Sequence, residues 1–256
     1  MEKIIYKTID NIELNGILEQ NGSDTCIIMC HGIRAGKEEN GNFTKLAKVL
    51  NQNKIDSFRF DFRGHGENKS KFDIVTIEGE IIDLETTIEN VSKRGYKNII
   101  LLGASFGGGI IPLINFNKYS NIKGLILWYP CLVYNKTDLF CEENIKETLE
   151  KGFFETKSLR TGKTYIFTKE LMMQTTKYKP YEALINNLLP KLFIHGNKDK
   201  NVYYESVEKC ANDSINSKLI IIENGTHGFY DNENHFKFVL QETLEYIKTI
   251  INNFKK

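Results

Sequence analysis

Apolar residues in this chain fall into short runs that alternate with longer amphipathic stretches. The short runs read as buried strands, and the stretches in which apolar residues recur every three or four positions read as helices. Strands that alternate with helices predict an α/β fold with a mostly parallel sheet and helices on both faces. The predicted strands are 26–30, 56–60, 99–102, 124–128, 191–195 and 218–222, and the clearest predicted helices cover 43–51, 77–91 and 236–251.

Two parts of the sequence depart from this alternation. Near the N-terminus, Asp10-Asn11 separates two apolar segments, which predicts an antiparallel hairpin. Between residues 131 and 189 no clear strand–helix unit is apparent, although the segment is rich in aromatic residues, leucine and methionine. It is too long for an ordinary loop. We therefore expect a core of residues 1–130 and 190–256, and an inserted cap, 131–189, above the sheet edge where ligands bind.

Composition narrows the class of protein. The 256 residues suit one large domain, and 34 basic residues balance 33 acidic ones, so no nucleic-acid partner is expected. No uncharged apolar run is long enough to span a bilayer, and the N-terminus lacks a secretory signal, so we expect a cytoplasmic protein without stable membrane insertion. The five cysteines do not form a zinc-binding pattern, and neither a metal nor another cofactor is expected. The composition does not decide whether the protein forms a homodimer.

One pentapeptide carries the first indication of chemistry. Gly103-Ala104-Ser105-Phe106-Gly107 follows a predicted strand and can begin a helix. Gly-x-Ser-x-Gly in this context is the nucleophile elbow, a sharp turn that exposes a serine hydroxyl. The three fixed positions alone would occur by chance in about one chain in ten of this length. The prediction for Ser105 therefore depends on partners elsewhere.

A serine nucleophile needs a base that accepts its proton. His227 lies in a glycine-bounded loop after the last predicted strand, and a loop at the carboxyl end of a parallel strand can reach the elbow. The other four histidines are less favourable, because each adjoins a strand end, a tight loop or the last helix. They are His31, His65, His195 and His235.

The base in turn needs an orienting acid. Asp199 follows the strand that ends near His195, whereas the end of strand 124–128 offers no carboxylate. Asp138, Asp213 and Asp231 are less well placed. The order Ser105, Asp199, His227 is the nucleophile–acid–base order associated with such an elbow.

Backbone amides should stabilise the oxyanion of a tetrahedral intermediate. One is expected from Phe106, directly after the nucleophile, and the other from Ile33, in the loop after His31-Gly32.

With these motifs in order, the chain resembles the α/β-hydrolase superfamily over essentially its whole length. Within it, the chain is most similar to cinnamoyl/feruloyl esterases and to monoglyceride-lipase-like and serine-aminopeptidase-like hydrolases. The resemblance implies an eight-stranded sheet with an antiparallel second strand and a compact cap over the acyl pocket. In esterases of this group polar cap residues contact a phenol, a role that Asp138, Tyr165, Gln174 or Tyr178 could fill. The matching motifs are 31–33, 61–66, 103–107, 195–199 and 225–228.

The leading functional hypothesis is a serine carboxylic-ester hydrolase that acts on small to medium acyl or aryl esters through an acyl-enzyme. A thioesterase, an acyltransferase or a hydrolase of small peptides would use the same triad. A non-catalytic ligand-binding module is less consistent with a complete set of serine, acid, base and oxyanion donors. The preference for uncharged substrates rests on apolar cap residues, although most of these should form the cap's own core: Phe140, Phe153, Phe154, Tyr165, Phe167, Met172 and Met173.

Overall fold

A computed structural model of the protein describes residues 1–68, 71–158 and 162–254. Within these residues the strands are β1 (Glu2–Lys7), β2 (Glu13–Glu19), β3 (Thr25–Cys30), β4 (Asp56–Asp61), β5 (Asn98–Ala104), β6 (Ile122–Trp128), β7 (Phe153–Lys157), β8 (Thr164–Thr168), β9 (Lys191–Gly196) and β10 (Ser217–Ile222). Eight of them form the main sheet, in the spatial order β1-β2-β4-β3-β5-β6-β9-β10. The other two, β7 and β8, form a separate two-stranded sheet.

The direction of the strands follows the expected pattern. Strand β2 is antiparallel to both of its neighbours, β1 and β4. All other neighbours in the main sheet are parallel. Every residue of β3, β4 and β9 is buried, because these central strands are covered on both faces.

Helices cover the sheet on both sides, as the sequence predicts. The helices are α1 (Asn42–Gln52), α2 (Ile77–Lys93), α3 (Ser105–Ile110), α4 (Glu142–Lys151), α5 (Lys169–Lys177), α6 (Pro180–Ile185), α7 (Tyr204–Asp213) and α8 (Glu233–Asn253). Two of them, α1 and α8, pack on one face around Trp128, whose ring lies 5.9 Å from that of Phe43 and 5.8 Å from that of Phe236. On the other face, apolar residues of α2, α3 and α7 form a second core cluster.

The segment between β6 and β9 contains regular elements that its sequence pattern does not reveal. They are the short helices α4, α5 and α6 and the antiparallel pair β7–β8. Phe72, outside this segment, lies 4.9 Å from the Tyr165 ring and 5.3 Å from the Phe167 ring, so the segment packs against the core through aromatic contacts. The division into a core and a cap of 131–189, which includes residues outside the described ranges, stays a prediction.

The predicted strands and the long helices are confirmed, with the strands extended by one to three residues. The α/β-hydrolase fold with an antiparallel second strand is therefore confirmed. Among the described residues, none of the helices combines the length and apolar character needed to cross a membrane.

Candidate active site

Ser105 lies at the junction between β5 and α3, in a left-handed backbone conformation with φ of 50°. Residues other than glycine rarely adopt this backbone conformation, and such backbone strain is concentrated at functional sites. The flanking glycines explain how the turn is accommodated. A Cβ at Gly103 would lie 2.7 Å from the Gly108 Cα, and one at Gly107 would collide with the carbonyl oxygens of Cys30 and His31. The turn thus requires glycine on both sides of the serine.

Three residues from distant parts of the chain are connected by two hydrogen bonds. His227 Nε2 lies 3.1 Å from Ser105 Oγ, and His227 Nδ1 lies 2.7 Å from Asp199 Oδ2. An ionised carboxylate can only accept, so Nδ1 carries the proton and Nε2 faces the serine as an acceptor. The structure therefore brings together the three side chains that the sequence singles out.

Asp199 is buried, with 7% of its surface exposed, and its carboxylate is well supplied with donors. Oδ1 accepts from the amides of Asn201 (2.8 Å) and Val202 (3.0 Å). His195 Nε2 lies 3.3 Å from Oδ2. Burial by itself would raise the pKa of Asp199, but the neighbouring His227 and His195 rings hold it below its ordinary value. The group is an anion beside the candidate base.

The loop that carries His227 follows β10 and is shaped by two left-handed residues, Gly228 (φ 80°) and Phe229 (φ 57°). The Tyr129 ring, fully buried after β6, packs edge-on against the His227 ring with centroids 4.7 Å apart. This contact restricts rotation of the imidazole, which must stay aligned with both partners.

The loop after β3 approaches the serine closely. A Cβ at Gly32 would lie only 3.0 Å from the Ser105 Cβ, so the backbone can pass here because residue 32 is glycine. The Gly32 carbonyl accepts from His31 Nδ1 (2.9 Å) and from the Ala35 amide (3.1 Å). These bonds fix the peptide plane that also contains the Ile33 N–H. Ile33 and Phe106 both line the cavity beside the serine, and Phe106 lies in the first turn of α3, where amides lack an intrahelical acceptor.

Two other histidines support this loop and are unsuited to act as bases. His65 Nδ1 donates to the Arg63 carbonyl (2.8 Å), and Nε2 accepts from the Arg34 amide (3.4 Å). Burial and the adjacent His31 lower the pKa of His65 to about 3. Burial also lowers the pKa of His31. Both rings stay neutral and fully engaged.

Two of the alternatives considered for acid and base have other surroundings. Asp213 pairs with Lys209 at the end of α7, and His235 lies in the first turns of α8. Among the described residues, no group of three or more histidine, cysteine or acidic side chains is arranged to hold a metal ion.

A cavity of about 450 Å³ opens above Ser105 and His227. Its walls are more polar than the sequence of the insertion suggests, since Arg34, Asp138 and Lys157 contribute to them. Of the apolar residues singled out in the insertion, only Phe140 and Phe154 line the cavity. Tyr165, Phe167 and Met172 are buried within the protein, and Phe153 and Met173 are exposed.

The polar residues considered for substrate contact are also divided. Asp138 lines the cavity, and burial raises the pKa of its carboxyl group. The Tyr165 hydroxyl donates to the Arg34 carbonyl (3.1 Å) beneath the cavity. Gln174 accepts from the Glu78 amide (3.0 Å) and Tyr178 donates to the Glu78 side chain (2.7 Å). The last two therefore attach the insertion to α2.

Sequence reasoning missed the residues that support the triad. The role of His195 could have been inferred from its position, because it lies near a strand end four residues before Asp199. No sequence pattern indicates the role of Tyr129, since its contact with His227 joins residues almost a hundred positions apart. The same is true of Glu39, whose carboxylate accepts a hydrogen bond from the Gly32 amide (2.7 Å).

Comparisons of the sequence relate the chain to known proteins. The family model described as "Serine aminopeptidase, S33" matches residues 22–157, which is more than half of the chain. A protein of Mycoplasma genitalium named "Putative esterase/lipase 2" is 27% identical, with 90% of each chain covered.

Solved structures show the same fold. Est1E from Butyrivibrio proteoclasticus with bound ferulic acid superposes with a TM-score of 0.81 at 22% identity, covering 97% of this chain and 99% of the other. A monoacylglycerol lipase of Paleococcus ferrophilus superposes with a TM-score of 0.77 at 13% identity, covering 93% and 100%.

Proposed function

The chain belongs to the serine aminopeptidase S33 family of hydrolases, and from that premise we propose that it hydrolyses carboxylic esters through an acyl-enzyme on Ser105. The observation that carries the proposal is the row Ser105–His227–Asp199 at the floor of an open cavity. The resemblance over most of its length to a Mycoplasma protein named as an esterase/lipase supports an ester as the substrate.

In the first half of the reaction the serine attacks the ester. His227 Nε2 accepts the Ser105 proton while Oγ bonds to the carbonyl carbon, and Asp199 stabilises the imidazolium that forms. The carbonyl oxygen becomes an oxyanion, which the Ile33 and Phe106 amides stabilise. When the bond to the alcohol breaks, His227 returns its proton to the departing oxygen, and the acyl group remains on Ser105.

Water completes the cycle by the same route. His227 takes a proton from a water molecule, whose oxygen attacks the acyl carbon. The bond to Ser105 Oγ then breaks, the serine regains a proton from His227, and the carboxylic acid leaves. No step requires a metal or an organic cofactor.

Small to medium acyl or aryl esters are the proposed substrates. The 450 Å³ cavity accommodates a ligand of that size, and Phe140 and Phe154 supply apolar contacts for an acyl or aryl group. The polar residues of the cavity wall, Arg34, Asp138 and Lys157, would contact the part of the ester that does not lie against these two rings. Hydroxycinnamate esters belong in the first substrate panel, since Est1E, a protein of the same fold, binds ferulic acid.

Hydrolysis of an N-terminal amide is the second candidate, favoured by the family description and by one feature of the cavity. The carboxyl group of Asp138 lines the same cavity as Ser105 and could pair with a substrate ammonium group. A panel of p-nitrophenyl esters, acyl-CoA thioesters and aminoacyl-anilides separates ester, thioester and amide cleavage. We expect the highest kcat/KM with the esters, and a preference for aminoacyl-anilides would replace ester hydrolysis as the proposed activity.

The nucleophile is tested with a fluorophosphonate probe on wild type and Ser105→Ala. We expect labelling of the wild type alone, since the probe phosphonylates an activated serine oxygen. Unlabelled wild type, or equal labelling of both proteins, would contradict the triad. Analytical ultracentrifugation of the same samples measures whether the protein forms a homodimer.

A further inference from the structure

Glu39 carries a buried carboxylate. Only 4% of its surface is exposed, and among the residues that the structure describes no lysine, arginine or histidine forms an ion pair with it. Burying a carboxylate is unfavourable unless specific hydrogen bonds compensate. The hydrogen-bond partners of the Glu39 carboxylate therefore indicate the role of the residue.

The shortest of these bonds reaches the loop beside the nucleophile. Glu39 Oε2 accepts from the Gly32 amide at 2.7 Å, and the Tyr230 hydroxyl lies 3.4 Å from Oε1. Gly32 is the residue whose carbonyl shares a peptide group with the Ile33 N–H. The Glu39 carboxylate thus binds the N–H of Gly32, and His31 Nδ1 donates to the carbonyl oxygen of Gly32 (2.9 Å).

Residues 39–42, here called the strap, also hold the loop of the candidate base. Asn40 Nδ2 donates to the Tyr230 hydroxyl (2.8 Å), and the buried Asn42 donates to the Gly228 carbonyl (2.8 Å). The strap therefore joins two loops that are almost two hundred residues apart and that contribute Ile33 and His227.

The backbone of the strap is itself unusual. Glu39, Asn40 and Gly41 have φ values of 40°, 57° and 96°, so three consecutive residues are left-handed. Two of them carry side chains, which disfavour this conformation. Strain that the surrounding structure maintains is found where a precise backbone position matters.

From these contacts we infer that Glu39 is a positioning residue for the oxyanion site. Its carboxylate fixes the Gly32 backbone, and thereby aims the Ile33 amide at the oxygen on which negative charge develops. The inference rests on the proposed function. The role is that of a hydrogen-bond acceptor, since a negative charge close to an oxyanion would by itself oppose catalysis.

The test compares side chains that keep or remove the acceptor. Glu39→Gln retains an oxygen that can accept from Gly32, whereas Glu39→Met has a similar length without that oxygen. Glu38→Ala is the matched control, because Glu38 is the preceding acid but contacts Thr44 and Arg59. For each variant we would measure kcat and KM for p-nitrophenyl acetate, the inhibition constant of a trifluoromethyl ketone, and the thermal midpoint of unfolding.

We expect Glu39→Met to lower kcat by about 10- to 100-fold, somewhat less than complete loss of an oxyanion donor. KM should change little, because the interaction strengthens only in the transition state. The ketone's inhibition constant should rise in parallel with the loss of kcat/KM, since its adduct places an oxyanion on the same amides. Glu39→Gln and Glu38→Ala should stay close to wild type.

Several results would overturn the inference. Wild-type kcat in Glu39→Met, or a rise in KM alone, would show that the Gly32 bond does not serve the transition state. An equal loss in a stably folded Glu39→Gln would assign the effect to the charge. If neither Glu39→Met nor Glu39→Ala folds, the residue serves folding instead. Fluorophosphonate labelling separates the two proposals: unlabelled wild type removes the proposed function, whereas labelled wild type with an unimpaired Glu39→Met removes only this inference.

Discussion

Asp199 and Glu80 are both buried acids, but the regions around them are opposite in character. At the end of β9, Asp199 is surrounded by two backbone amides and two imidazoles. In the first turn of α2, Glu80 is 1% exposed, and both carboxyl oxygens lack a hydrogen-bond partner among the described residues. His65 Nδ1 lies 3.9 Å from Glu80 Oε1, but this imidazole ring stays neutral.

The two surroundings move the pKa in opposite directions. Histidine partners hold the pKa of Asp199 below its ordinary value in spite of burial. Burial, reinforced by Asp83, raises the pKa of Glu80 well above its ordinary value, with Arg63 acting weakly against this. The comparison shows that burial alone does not identify a functional acid. The hydrogen-bond donors around the carboxyl group decide whether it is an anion.

The largest expected effect is on Asp199. Asp199→Asn would present an amide N–H to His227 Nδ1 and so favour the tautomer with its proton on Nε2, which cannot accept from Ser105. We expect kcat for p-nitrophenyl acetate to fall by about 10³- to 10⁴-fold. The loss should be smaller than that of Ser105→Ala or His227→Ala, with a thermal midpoint showing that the variant folds. A folded Asp199→Asn with near-wild-type kcat would remove Asp199 from the mechanism.

Glu80→Gln should change stability with pH and leave the chemistry intact. Above its ordinary pKa of 4.5, unfolded Glu80 releases a proton that the folded protein keeps, so rising pH favours unfolding by about 1.4 kcal/mol per unit until the folded group ionises. Glutamine abolishes this dependence. We expect Glu80→Gln to raise the free energy of unfolding by about 1 to 3 kcal/mol at pH 8 and to have little effect at pH 5.

Urea unfolding at both pH values tests this, with Glu78→Gln as the control. Glu78 lies in the same helical turn but is exposed and paired with Lys177, so its substitution should change stability by less than about 0.5 kcal/mol. A Glu80→Gln protein less stable than wild type at pH 8 would mean that Glu80 is a partnered anion, and the contrast with Asp199 would disappear.

A third prediction concerns the partners of Asp199. His195→Leu removes the imidazole 3.3 Å from Oδ2 but leaves the Asn201 and Val202 amides in place. We expect kcat to fall by about 10-fold, the equivalent of roughly 1.4 kcal/mol, with KM unchanged. Steady-state kinetics at pH 8 measure it, and an unchanged kcat would show that the amides and His227 alone keep the carboxylate oriented.

The smallest expected effect is on Asp138, a carboxyl group that faces the cavity and lies between the two extremes. Burial raises its pKa, while Arg34 and His227 lower it. We expect Asp138→Asn to change kcat/KM for neutral p-nitrophenyl esters by less than about threefold, since no charge on the ester requires it. A large loss confined to aminoacyl-anilides would instead support amide hydrolysis.

Much of the core could be predicted from local pattern. The uncharged runs, such as 26–30, and the helix over 77–91 correspond to observed elements because buried strands and amphipathic helices impose their periods on adjacent residues. The insertion could not be predicted in this way. Its short helices and the hairpin β7–β8 are stabilised by contacts such as Phe72 with Phe167, which leave no period in the sequence.

The sequence by itself determined the α/β order, the strained turn at Ser105 and the order of serine, acid and histidine along the chain. These follow from residue types at short, fixed spacings. Only the tertiary structure decided that His227 and Asp199 meet Ser105 and that Glu39 accepts a hydrogen bond from Gly32. It also decided that Glu80 meets no such partners within the described part of the chain. The charge and use of a buried side chain depend on which distant residues surround it, and only folding brings those residues together.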